Sequence, residues 1–132
     1  MIGLDTNTLV RLIVDDDQEQ AARARSAVSR AVADGKRLFV NRVVLAEVVW
    51  VMERAYKRPR AEICSILDRL LNTVDLIVED REVALEALER YRAGPAGFAD
   101  GLIAVGNRVS GCACTLTFDR KAARLPEFQH PA

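Results

Sequence analysis

The sequence predicts an α/β fold: a three-layer α/β/α arrangement around a central, mostly parallel sheet of four to five strands. Three observations predict it. Short apolar runs punctuate the chain at Ile2 to Leu4, Arg37 to Val40, Val74 to Val78 and Cys112 to Phe118. Stretches of helical periodicity separate them, and strands that alternate with helices build parallel sheets covered on both faces. Half of the 132 residues are hydrophobic, which is enough for a core. One domain spanning residues 1–132 is the expectation, because no linker, repeat or low-complexity segment interrupts the chain.

Each helix has its own signals. "TLVRLIV" is a short helix after the first run. Gln18 to Asp34 places Ala21, Ala24, Val28 and Ala31 on one face and stops at Gly35. Asn41 can cap "RVVLAEVVWVMERAYK", whose stripe is Leu45, Val48, Val49, Met52 and Tyr56, and Pro59 ends it. Ile63, Ile66, Leu67, Leu70 and Leu71 mark the next helix. Asp80 can cap another, which carries Val83, Ala84, Ala87, Leu88 and Tyr91. "AGPAG" breaks the pattern, and "FADGLIAVGNRVSG" is the last clear helix, closed by Gly111. The tail after Asp119 leaves room only for a brief final edge strand.

Composition narrows the function. Nineteen basic and nineteen acidic residues cancel, so net charge argues neither for nor against a nucleic-acid partner. No leader or apolar run of about 18 residues is seen, so a cytoplasmic protein without a membrane partner is expected. Three cysteines without a CxxC pair read as small core residues rather than as a disulfide framework or zinc site.

The acids carry more information. Asp5 ends the first run, and Asp119 ends the last. Glu47 lies in the second turn of the helix after the second run, and Asp100 in the first turn of the last helix. In a parallel sheet the helices that follow strands begin at the carboxyl edge, where ligands bind. All four acids are therefore expected at that edge. Glu47 interrupts an almost wholly apolar stretch and has no basic residue three or four positions away. Partly buried acids that converge repel one another unless a cation joins them, and oxygen donors suit Mg²⁺ or Mn²⁺.

Taken singly, each acid has an ordinary explanation: a helix cap for Asp5, a favourable dipole for Asp100, a turn for Asp119. Four on one edge favour a site. "DDDQE" (Asp15 to Glu19) is the contrast, since consecutive acids cannot share a face. A haloacid-dehalogenase-like phosphatase also begins with strand and Asp, but it needs Asp-x-Asp, and Asn7 stands at the second place. A non-catalytic Mg²⁺-binding signalling domain needs paired acids near its start and another ending a middle strand, which "RLFVNR" and "VDLIVED" do not supply cleanly.

The ordered set "IGLDTNTLV", "AE" in the third helix, "FADGLIAVGNRVSGCACTLTFDR" and "LPEF" resembles the PIN-domain ribonucleases, and more narrowly the VapC-type toxins of toxin–antitoxin modules. The resemblance implies a PIN-like fold and RNA cleavage with Mg²⁺ or Mn²⁺. It implies inhibition by a cognate antitoxin that covers the site, and a homodimer. Asp5, Glu47, Asp100 and Asp119 match the acidic quartet, with Asp5 and Asp100 as main metal ligands. Asn7 and Thr117 match the supporting polar positions.

Metal-free RNA cleavage needs a general base and acid, most often histidines, and His130 near the end is the one histidine. Metal-assisted attack by water, leaving a 5′-phosphate, is the expected route. Basic side chains must then bring the RNA in. Arg11, Arg42, Arg120 and Lys121 are the candidates, with Arg124 and the cluster Glu53 to Arg60 behind them. Trp50 and Met52 read as core or interface. The antitoxin's apolar groove is expected between the Glu47 helix and Ile63 to Leu71.

Overall fold

The computed structural model describes residues 1–131. Its elements are, in order, β1 (Ile2–Gly3), α1 (Thr6–Ile13), α2 (Gln18–Ala33), β2 (Leu38–Val40), α3 (Arg42–Arg54), α4 (Arg60–Leu71) and β3 (Leu76–Val78). Then follow α5 (Arg81–Ala93), α6 (Phe98–Val109), β4 (Thr115–Leu116), a 3₁₀ turn at Ala122–Arg124, and β5 (Phe128–Gln129). The alternating α/β order stands, and every strand pair is parallel. The brief last strand is present. The helices begin and end within a few residues of their sequence signals.

The five strands form two hydrogen-bonded ladders, β1-β2-β3 and β4-β5. In the first, Ile2 sits opposite Leu38 and Leu38 opposite Leu76, with Leu4 N–H donating to the Phe39 carbonyl at 2.9 Å. In the second, Thr115 N–H donates to Glu127 and Thr117 N–H to Gln129. Among the described residues no backbone hydrogen bond joins β1 to β4.

Helix α3 passes through the core. Asn41 caps it by accepting from Val44 N–H at 2.9 Å, and Val44, Leu45, Val48, Val49 and Met52 are buried. Helix α4 turns Ile63, Leu67 and Leu71 into the same core. Helices α5 and α6 approach so closely that a Cβ on Gly101 would lie 3.1 Å from Ala87 Cα. Only glycine permits that spacing without displacement. Tyr91 is buried edge-on to Phe98, beneath the Arg60 guanidinium 4.3 Å from its ring centre. Its hydroxyl donates to Glu53 at 2.8 Å, and burial pushes the phenol pKa well up. The basic run Glu53 to Arg60 thus does structural work, with Arg58 paired to Glu62 and Arg60 donating to the Tyr91 carbonyl.

One expectation about the interior fails, at two surface positions. Cys64 is buried, but Cys112 and Cys114 are exposed, because the segment leading into β4 is not covered by the first sheet. Met52 is core, whereas Trp50 is 58% exposed, because it falls opposite the buried stripe of α3. Among the described residues no helix is long and apolar enough to cross a membrane.

The β4-β5 unit is fastened to α5 and α6. Leu125 packs with Ala96 and Ala104, and Phe128 lies against them. Glu127 accepts from Arg90 through both oxygens, at 2.5 and 2.6 Å, and from Arg108 at 2.7 Å. The Arg90 hydrogen bond, helped by Arg108, draws the Glu127 carboxyl down to about 2. An unfolded glutamate titrates near ~4.3. A depressed carboxylate stabilises the fold fully above the unfolded value, and that stability is lost as pH falls through the folded one. Glu127→Gln is therefore expected to lower stability by about 1–3 kcal/mol at neutral pH. Urea unfolding at a series of pH values should show the gap from wild type closing between about 4.5 and 2.

Candidate active site

Asp5 leaves β1 and caps α1, its Oδ1 accepting from Thr8 N–H at 2.8 Å. That hydrogen bond holds the carboxyl below the usual range. At the next residue, the Thr6 hydroxyl donates to Glu47 Oε1 at 2.9 Å. The end of β1 and the second turn of α3 are clasped there. Glu47 is exposed, not partly buried as its apolar surroundings suggest. The buried positions of α3 lie to one side, so Glu47 sits on the rim of the stripe rather than within it.

Across from Glu47 lies α6. Arg42, Val43, Ala46 and Glu47 form one wall of a cleft of about 350 Å³, and Ala99, Leu102, Ile103 and Asn107 the other. Asp100, next to Ala99, is half-buried and turns Oδ2 back onto Gly97 N–H at 3.1 Å. Asp119 follows β4. Its Oδ1 accepts from Lys121 N–H at 2.8 Å and Ala122 N–H at 3.2 Å, which sets the 3₁₀ turn. Its own N–H donates to the Thr117 hydroxyl at 3.0 Å.

A pattern runs through these contacts. Each of the four carboxylates is steered by hydrogen bonds to one oxygen, and the described residues donate nothing to the other. Asp5 and Glu47 come together through Thr6, and Asp100 sits on the helix opposite. Asp119 belongs to the other sheet. Among the described residues no three acids, histidines or cysteines gather closely enough to hold a metal ion. The donor chemistry suits a hard divalent cation.

The other candidates divide. Asn7 faces a cleft of about 520 Å³ between α1 and α2, shared with Arg11, Arg23 and Arg30. Arg11 also pairs with Asp16 at 2.8 Å and donates to Gln20. Arg42 is paired with Asp80, and its backbone N–H donates to Glu79. Arg120 and Lys121 are exposed beside Asp119. Sequence reasoning passed over Thr6, whose only signal was a hydroxyl next to Asp5. It also passed over Arg23 and Arg30, whose spacing of seven puts them on one side of α2.

Residues 2–127 match the family model described as PIN domain. A VapC ribonuclease of Aquifex aeolicus (strain VF5) is 26% identical over 122 residues, which is 92% of this chain and 90% of that protein. A match over nearly the whole chain, on a fold that sets Asp5 at the end of its first strand, leaves one conclusion: the chain belongs to the PIN domain family.

Proposed function

We propose that this protein is a divalent-metal-dependent endoribonuclease, the toxin of a toxin–antitoxin pair, with Asp5, Glu47, Asp100 and Asp119 as its working acids. The observation that carries the reading is the common posture of those acids: one oxygen anchored, one free. A purely structural cap has no need of a neighbour arranged the same way. The VapC ribonuclease relative supports the choice of RNA as substrate. Mg²⁺ or Mn²⁺ is the cofactor assigned to the assembled rim, on its all-carboxylate donors. Asn7 and Thr117 support Asp5 and Asp119, and Thr6 positions Glu47.

The lone histidine supports the same choice. His130 packs edge-on against Phe118, ring centres 5.7 Å apart, and a single imidazole disfavours the two-histidine form of a 2′-hydroxyl route. RNA is drawn in by Arg120 and Lys121 next to Asp119 and by the arginines of the α1–α2 cleft. The cytoplasm is the proposed location, where RNA substrate and antitoxin meet.

The antitoxin is proposed to fill the α3–α6 cleft. Val43 and Ile103 are 63% and 48% exposed beside Glu47, an apolar seat next to a negative charge. An amphipathic segment with an Arg or Lys reaching Glu47 fits it. Of the face expected between α3 and α4, Ile63, Leu67 and Leu71 are spent in the core, which favours the α3–α6 cleft as the seat.

Three outcomes follow. Asp5→Asn and Asp100→Asn are each expected to lower cleavage of an RNA panel by about 100-fold or more, with folding retained. Full activity in either purified variant, at matched metal, would sink the assignment. Mn²⁺ is expected to raise the melting temperature of the wild type and to raise that of Asp5→Asn less, since only the folded state assembles the site. Equal shifts would move the metal elsewhere. Ile103→Glu is expected to raise the antitoxin concentration needed for half inhibition by about 30-fold, read by nuclease titration.

A further inference from the structure

Two of the four arginines around the α1–α2 hairpin are occupied within the chain. Arg11 donates to Asp16 and Gln20 at 2.8 Å each and to Tyr56 at 3.3 Å, and Arg25 lies 3.7 Å from Asp15. Arg23 and Arg30 differ. Both are exposed, and among the described residues neither pairs with an acid. Seven residues separate them, which is two helical turns. They therefore stand on one side of α2, about 10 Å apart along its axis. The side chains between them on that side, Ala24, Ser26 and Ala27, are small. They floor the cleft of about 520 Å³ that α2 makes with α1.

The cleft carries charge of one sign. Arg11, Arg23 and Arg30 line it together with Asn7, Thr8 and Gln20, and among the described residues no carboxylate does. The chain as a whole is neutral, with nineteen bases against nineteen acids. The cleft beside Glu47 sets Arg42 against that acid, and the one at the end of α1 sets Arg58 and Arg69 against Glu62. Walls of one sign focus a field into the solvent and concentrate anions. Position adds to sign. Thr8 lines the cleft and also donates its N–H to Asp5 at 2.8 Å, so the cleft opens within one helical turn of the first acid. Width narrows the ligand. Packed helices lie about 8–10 Å apart, and a trough between two of them admits one nucleic-acid strand but not a duplex. Guanidinium forks match the oxygens of a phosphate.

We propose that the α1–α2 cleft holds the backbone of a single RNA strand on one flank of the cut, with Arg23 and Arg30 each on a phosphate. Arg11 is the brace rather than a contact: its bonds to Asp16 and Gln20 tie the start of α2 to α1 and fix the mouth of the cleft. The identity of the strand as RNA rests on the nuclease reading; its capture by phosphate rests on the two unpaired arginines.

The test follows binding of a labelled, unstructured RNA of about 12 nucleotides by fluorescence anisotropy, with metal withheld, over a range of salt. Each phosphate contact to a single strand adds about 0.7 to the slope of log affinity against log salt. The full-length double variant Arg23→Ala, Arg30→Ala is expected to lose about 1.4 of that slope. Arg23→Lys with Arg30→Lys should keep most of it, and Arg25→Ala all of it. In cleavage with Mn²⁺ the double alanine variant is expected to raise KM about 30-fold with kcat within about twofold of wild type. A blunt RNA duplex of the same length should not distinguish variant from wild type. An unchanged slope, or a loss confined to kcat, would overturn the assignment, and so would an equal loss of slope on the duplex. Arginines that weaken only inhibition by the antitoxin would make the cleft a protein surface instead. A wild type that binds the strand through these arginines yet cuts nothing defeats the nuclease reading and leaves the cleft standing. One that cuts RNA while the double variant keeps its slope does the reverse, and one that neither binds nor cuts defeats both.

Discussion

Helix α3 is the element on which the rest of the structure depends. Its buried side, Val44 through Met52, is packed from several directions at once, against α1, α4 and α6. A helix so constrained cannot rotate without opening cavities on more than one side. Two residues at its free margin inherit that rigidity. Glu47 is held where Thr6 can reach it, and Arg42 where it meets Asp80 at the end of β3. The candidate site is thus positioned by hydrophobic packing, and its polar contacts only refine the aim.

That arrangement explains how much could be seen beforehand. The helices were legible because their signals are local. Asn41 and its cap, Gly35 at φ +77° and the apolar stripes of α3 and α5 each act within a few residues. The first three strands were legible for the same reason, as short apolar runs between such helices. The acids were legible as positions: Asp5 and Asp119 follow strands, and Asp100 lies in a first helical turn. Burial was not. Glu47 sits among valines yet is exposed, because the chain alone does not say which of several apolar positions face inward.

What the sequence could not show is which edge each strand pairs with. "CACTLTF" has the composition of a buried central strand, and its apolar character is a statement about burial somewhere. Here, among the described residues, its backbone pairs with the brief Phe128–Gln129 strand on one side and with nothing on the other. Pairing is a long-range choice, set by loops and by the Glu127 ion pairs with Arg90 and Arg108. A residue pattern that calls for burial and a fold that leaves it open differ in whatever covers the strand. The exposed Cys112 and Cys114 belong to the same contradiction.

The way the four acids are held bears on how they can be aimed without mutual repulsion. Buried carboxylates brought together would take up protons to escape repulsion. None of the four is buried in one chain, and each is tied to a neighbouring donor through one oxygen. Solvent screens the remaining charge, and Asp5 in particular is kept ionised by the Thr8 N–H. The four carboxylates are therefore aimed by their neighbours without being crowded.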